Sequence, residues 1–217
     1  MGKTSTGICT CCGKELSKTA VAKHLQNCPE RALDDGDERY FLIRVQGRYS
    51  PEYWLYFEAS ADETLTNLDG CLRDIWLECC GHMSLFKIGN QIYTSHPDRS
   101  YGEKSMRAKL GDLLYKGLIF RHEYDMGSTT ELMIKVVGER FGAKPASPAI
   151  ELLARNIAPV ILCSECRNAA AENVCSECQY NGSGWLCETC STNHECGEDM
   201  LLPVVNSPRV GVCGYTG

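Results

Sequence analysis

The chain has 217 residues, a net charge of −6 and 15 cysteines. That length suits one ordinary domain with smaller modules attached. No stretch approaches the roughly 18 apolar residues of a membrane span, which excludes a helical membrane protein. Nucleic-acid affinity rests on cations meeting phosphates, and the cations are unevenly spread. Residues 1–33 carry Lys3, Lys14, Lys18, Lys23 and Arg31 against Glu15 and Glu30, whereas residues 163–217 carry only Arg167 and Arg209 against seven acids. Contact with nucleic acid, if the chain makes any, belongs to the front end.

The opening, Met1-Gly-Lys-Thr-Ser-Thr-Gly-Ile-Cys9, shows no apolar signal run, so a cytosolic setting is expected. Met1-Gly2 with Thr6 fits the loose myristoylation pattern, but no second anchor accompanies it. In a reducing compartment, paired cysteines point to zinc rather than disulfides.

The first module is Cys9-x-x-Cys12 followed by His24-x-x-x-Cys28, the spacing of a small C2HC finger. Gly13 suits a knuckle, and Leu16, Val21 and Leu25 supply the few apolar contacts of a ββα unit. Ser17 is a plausible helix cap. His24 and Cys28, four apart, fall on one helical face. Cys11 is left over as a free thiol. So short a segment depends on metal to fold.

Leu33-Asp-Asp-Gly-Asp-Glu38 reads as a linker. Alternation over Tyr40–Gln46 puts Phe41, Ile43 and Val45 on one strand face, and a second strand covers Tyr53–Glu58. Ser60-Ala-Asp-Glu63 reads as a capping box. The helix it opens carries Leu65, Leu68, Leu72, Ile75, Trp76 and Cys79 at spacings of three and four. Further strands are expected over Leu85–Tyr93, Leu118–Tyr124 and Glu131–Val137, with a short helix near Ala108–Tyr115 and a turn at Asp125-Met-Gly-Ser-Thr129. This order predicts an α+β fold: a mostly antiparallel sheet with one main amphipathic helix, flanked by small zinc-binding modules. Gly138–Ala149 reads as a linker and Ile150–Asn156 as a short helix.

Beyond it stand Cys163/Cys166, Cys175/Cys178 and Cys187/Cys190, then His194, Cys196 and Cys213. The gaps between pairs are eight residues each, the spacing of a cross-braced double zinc site. The first and third pairs would share one metal, and the second pair would share the other with the terminal ligands. Nine candidates compete for eight places. His194-x-Cys196 puts both side chains on one side of a strand and favours Cys196, while Cys213, in Gly-Val-Cys-Gly, also has knuckle character.

Ser50-Pro-Glu-Tyr-Trp54, the helix Leu65–Trp76, Gly81-His-Met-Ser-Leu-Phe86 and His122-Glu-Tyr-Asp-Met-Gly-Ser-Thr-Thr-Glu-Leu132 carry a resemblance. Residues 38–140 resemble the prokaryotic plasmid ORF-3-like family, which includes an insertion-element passenger protein labelled resolvase-like. Glu123-Tyr-Asp-x-Gly127 is the most specific part. His122 and Met126 depart from the tyrosine and phenylalanine more usual there. The tail looks like an archaeal zinc-containing branch. The resemblance implies an α+β fold in a prokaryotic cell and no established activity. Recombinase chemistry is not supported, because no serine or tyrosine nucleophile stands flanked by arginines.

Other chemistry is weaker. His82 follows Cys79 and Cys80 but lacks a matching second pair, and Cys79 extends the helix's apolar stripe, which makes it a buried free thiol. His96 is unassigned. His122, on a face with Phe120 and Tyr124, reads as a packed, hydrogen-bonded histidine. Glu123 and Asp125 share a strand face, but Asp125 is expected to cap the turn at Gly127 and Glu123 to face water. A thioredoxin-type site has one Cys-x-x-Cys pair, not three.

The sequence therefore predicts a C2HC finger over 1–33 (Cys9, Cys12, His24, Cys28), an α+β domain over 38–140 and a linker with short helix over 141–158. A double-zinc module over 159–217 follows, using Cys163, Cys166, Cys175, Cys178, Cys187, Cys190, His194 and Cys196. About three structural Zn²⁺ and no catalytic residue are expected. The expected role is a non-enzymatic interaction or regulatory protein with a protein partner. The alternatives are nucleic-acid binding through Lys14, Lys18 and Lys23 of the finger, and an enzyme working in the α+β domain.

Overall fold

The computed structural model describes residues 5–31, 34–143 and 149–217. It forms two compact units: Met1–Leu72 with Met83–Ile157, and Arg73–His82 with Ala158–Gly217. Met1, Gly2, Lys3, Leu33, Pro145, Ser147 and Pro148, which enter the readings above, lie outside the described residues.

The first unit is built on a ten-stranded sheet. Its strands are β1 (Thr6–Cys9), β2 (Glu15–Ser17), β3 (Glu38–Gly47), β4 (Trp54–Ser60) and β5 (Ser84–Ile88). β6 (Gln91–Thr94), β7 (Lys104–Ser105), β8 (Ile119–Tyr124), β9 (Thr130–Gly142) and β10 (Ile150–Asn156) complete it. The spatial order is β2-β1-β10-β4-β3-β9-β8-β5-β6-β7. Every pairing is antiparallel except β6 with β7. Alternation does what it promises in β3, where Phe41, Ile43 and Val45 are fully buried. β4 is buried along its whole length.

Three short α-helices lie among the described residues of this unit: α1 (Val21–Leu25), α2 (Leu65–Leu72) and α3 (Leu110–Leu113). Leu65, Leu68 and Leu72 of α2 are fully buried, as an apolar stripe at helical spacing requires. The long helix read from the sequence is divided: α2 stops at Leu72 and the chain continues as a π-helical turn, Arg73–Leu77. No helix among the described residues is long and apolar enough to cross a membrane.

Several readings are corrected. Ile150–Asn156 is not a helix but strand β10, pairing with β1 on one side and β4 on the other. A register shift between Leu152 and Ala154 breaks its alternation, so its buried residues fall at Ile150, Leu153, Ala154 and Asn156. A bulge thus imitates helical spacing. The capping box at Ser60 is a turn instead: Ser60 Oγ accepts from Asp62 N at 3.1 Å, and Thr64 Oγ1 caps α2 by accepting from Asn67 N at 3.3 Å. The single strand expected over Leu85–Tyr93 is a hairpin, bent at Gly89 with φ +57°. Gly138–Gly142, read as linker, continues β9.

The finger is also not a free appendage. β1 and β2 extend the main sheet, and Cys9, Val21, Leu25 and Cys28 share one buried cluster with Leu42, Trp54, Tyr56, Leu153 and Ala154. Gly7 lies so close that an added Cβ would run into the Trp54 ring and the Arg155 carbonyl. Only glycine lets the backbone come this near.

The second unit carries a three-stranded sheet, β12-β11-β13, from β11 (Asn173–Cys175), β12 (Trp185–Leu186) and β13 (Leu201–Pro203). A one-turn helix, α4 (Glu188–Ser191), follows β12. Its buried apolar residues are few: Trp76, Leu77, Ala171, Val174, Leu186 and Tyr215, besides cysteines. Trp76 is tied on both sides, its Nε1 donating to Asn206 O at 3.0 Å and its carbonyl accepting from Ser207 Oγ at 2.7 Å.

Candidate metal centres

Four groups of side chains gather their donor atoms within 4.8 Å: Cys9/Cys12/His24/Cys28, Cys163/Cys166/Cys187/Cys190, Cys175/Cys178/His194/Cys196 and Cys79/Cys80/His82/Cys213. Only Cys11 and Cys71 among the cysteines stand outside them.

The first group rests on a knuckle. Cys9 ends β1, its carbonyl accepts from Gly13 N at 2.9 Å, and Gly13 takes the left-handed conformation at φ +71°. That turn brings Cys12 back beside Cys9. α1 then presents His24, whose Nε2 lies 3.4 Å from Cys12 Sγ, and Cys28 Sγ lies 4.0 Å from Cys9 Sγ. Cys11 packs beside the same cluster without joining the quartet.

The second group repeats the device. Cys163 O accepts from Arg167 N at 3.1 Å, with Arg167 at φ +56° playing the part of Gly13. Ser164 N donates to Trp185 O at 2.6 Å, which draws this knuckle onto the strand leading to Cys187. Cys187 stands at the N-terminal boundary of α4, so Cys187 and Cys190 fall on one helical turn. Cys166 Sγ sits 3.8 Å from Cys187 Sγ.

In the third group Cys175 ends β11, and Cys178 begins a 3₁₀ turn through Asn181. Cys178 Sγ lies 3.5 Å from Cys196 Sγ. His194 turns its Nδ1 toward Glu165 Oε1 at 3.7 Å, while its Nε2 is buried with no hydrogen-bond partner. A buried imidazole nitrogen left in that state is costly unless something accepts its lone pair. Cys196, rather than Cys213, completes the quartet with the second pair.

The edge lengths can be set against those of a tetrahedral zinc shell. Zinc bonds of about 2.3 Å to sulfur and 2.0–2.1 Å to nitrogen, at tetrahedral angles, set S···S near 3.8 Å and S···N near 3.6 Å. The observed S···S separations are 3.5–4.0 Å and the S···N separation of the finger is 3.4 Å. A disulfide needs sulfurs about 2.05 Å apart, and none of the 15 cysteines is in a disulfide.

Electrostatics inside the quartets points the same way. At Cys163, burial works to raise the thiol pKa, but backbone N–H groups of Cys187, Cys166 and Glu165 outweigh it and bring the value down to about 6. At Cys175, burial is likewise outweighed by the N–H groups of Cys178 and Glu177, giving about 7. Their neighbours are driven the other way. Cys196 and then Cys175 push Cys178 up to about 12, and Cys187, followed by burial and Cys163, raises Cys190. Thiolates aimed at one point repel until a cation joins them, and a bound divalent ion inverts that logic.

The fourth group escaped sequence reading. Cys79 is not a spare thiol of the helix stripe but stands with Cys80, His82 and Cys213. Its ligands come from segments some 130 positions apart, and the only local signal was the Cys-Cys-x-His run itself.

The remaining candidates find ordinary partners. His122 Nε2 meets Asp69 Oδ1 at 2.6 Å inside the sheet unit, with both side chains buried, and its ring packs on Phe86 at 4.7 Å. Asp69, on α2, was not read as a functional residue. Glu123 does not face water: it is buried and pairs with Lys87 Nζ at 2.7 Å. Asp125 caps the turn by accepting from Gly127 N at 2.9 Å. Its φ of +67° takes it out of strand β8, so the two carboxylates form no paired site on one face. His96 is exposed beside Ser95 Oγ at 3.1 Å.

No known family description matches this chain, and no curated protein is recognisably similar. A protein of unknown function, MM3350 from Methanosarcina mazei Go1, shows a distant structural likeness. It has 15% sequence identity and a TM-score of 0.49, over 55% of this chain and 71% of that one.

Proposed function

We propose that this is a zinc protein in which three sequence-legible quartets hold structural ions and the protein acts by presenting surfaces to a protein partner, in an interaction or regulatory role. The tetrahedral edge lengths of closed Cys/His quartets carry this reading. Four protein ligands leave no open position for water or substrate, and a catalytic zinc requires one. The 38–140 segment we take as a plasmid ORF-3-like domain on the strength of its Glu123-Tyr-Asp-x-Gly127 turn.

Nucleic-acid binding through the finger draws less support. Val21 and Leu25 of α1 face the sheet. Lys18 Nζ is spent on Pro51 O at 2.6 Å, and Arg31 is paired with Glu58. Lys14 and Lys23 alone remain exposed among the described lysines of the finger.

Cobalt substitution tests the closed shell. The full-length protein loaded with Co²⁺ should give tetrahedral thiolate spectra that azide leaves unchanged. A spectral shift with azide would reveal an open position and overturn the non-enzymatic reading. Titration with mixed DNA and RNA across a salt series should show no affinity. Binding that falls linearly on a log–log plot would favour the nucleic-acid alternative.

A further inference from the structure

The turn Cys79-Cys80-Gly81-His82 closes the Arg73–His82 segment of the second unit. Gly81, at φ +72°, donates its N–H to Glu78 Oε1 at 2.6 Å. That reversal turns the chain so that His82 falls beside the two cysteines. The opposing donor is Cys213, itself left-handed at φ +51° between Gly211 (φ +77°) and Gly214 (φ +67°). A side-chain-bearing residue in that conformation is strained and persists where its surroundings hold it. Here it brings Cys213 Sγ to 3.2 Å from His82 Nε2.

The two segments are joined by ordinary bonds before any ion is considered. Trp76 is bound by Asn206 and Ser207, and Tyr215 OH donates to Ile75 O at 3.4 Å. The donors are therefore already positioned. Arg209 is fully buried and sets Nη2 at 3.4 Å from Cys79 Sγ. Three thiolates and one divalent ion carry a net charge of −1, and an adjacent guanidinium offsets it, as outer-shell partners of metal ligands do.

We propose that Cys79, Cys80, His82 and Cys213 form a fourth zinc site, a Cys₃His clamp that locks the C-terminal loop onto the Arg73–His82 segment. The inference rests on the zinc reading of the other quartets. Soft sulfur donors with one imidazole select zinc over calcium or magnesium. Binding exchanges the thiol protons for the ion. This clamp differs from the other three in exposure: Cys80 and Cys213 are both exposed, whereas each other quartet contains a fully buried thiol, Cys9, Cys163 or Cys175. Its zinc is therefore the first to reach a chelator, and its loss frees the loop around Cys213 while the cross-brace stays loaded.

Native mass spectrometry of the full-length protein, purified without added zinc, should count four zinc per chain, and three in both Cys213→Ser and Cys80→Ser. Both substitutions fall on exposed side chains, so the variants should keep the wild-type circular dichroism. With a coloured chelator, the wild type should release one equivalent in a fast phase that both variants lack. Limited proteolysis should cut the variants near residues 208–214 and spare the wild type. Three zinc in the wild type and three in the variants would overturn the clamp and leave the other sites standing. A wild type without zinc would instead sink the reading beneath it. Loss of two or more ions from either variant would contradict an independent clamp.

Discussion

The sheet unit and the cysteine-rich unit differ in what they bury. In the first, ten strands and α2 bury Phe41, Ile43, Val45, Phe57, Leu65, Leu68, Trp54 and Ile134 among many others. In the second, strands of two or three residues and one-turn helices enclose only a handful of apolar side chains. Small domains with little core commonly rely on metals, disulfides or oligomerisation, and this one is supplied with quartets. The contrast teaches that cysteine density marks where hydrophobic burial runs out. The finger is intermediate: its quartet sits on the apolar face of the sheet, so hydrophobic burial and a donor cluster fall together there.

The sharpest way to break this comparison is to withdraw metal. Structural zinc contributes about 10–16 kcal/mol of apparent free energy in small finger peptides. Chelation under reducing conditions should therefore abolish amide protection over residues 163–203 while β3, β4 and β9 keep theirs. Uniform loss across both units, read by hydrogen exchange, would contradict the division.

Next in size, Phe41→Ala should cost about 3–5 kcal/mol through the cavity it opens in the sheet unit. The zinc count by native mass spectrometry should not change. Gly7→Ala tests the finger's docking on Trp54. Overpacking there should cost about 1–3 kcal/mol in urea unfolding, and a cost near zero would mean that β1 does not lie against the indole. Smallest is Lys109→Ala, which removes the cation of an exposed pair with Asp62. Pairs of this kind contribute about 0–1 kcal/mol, so a Tm shift of more than a few degrees would give that pair a larger role.

Much of the donor clustering was legible because a knuckle is local: Cys163, Cys166 and Arg167 form theirs within five residues. Cross-bracing followed from pair spacing. The clamp was not legible, since nothing in the sequence ties Cys213 to His82 and only the folded chain brings them together. In the sheet, alternation exposed β3 plainly, whereas β10 hid behind its bulge at Leu152/Ala154. The partner of His122 was hidden in another way. Asp69 follows Leu68 on α2, and periodicity alone cannot say that a carboxylate at the edge of an apolar stripe turns inward to a histidine.

Zinc held by reduced sulfur is the central claim, and intact-mass analysis with elemental metal determination on untreated, freshly purified protein tests it most directly. The account predicts every cysteine reduced and at least three equivalents of zinc, with a fourth where the clamp is loaded. A metal-free chain, or one lighter by two mass units for each pair of bridged sulfurs, would contradict it.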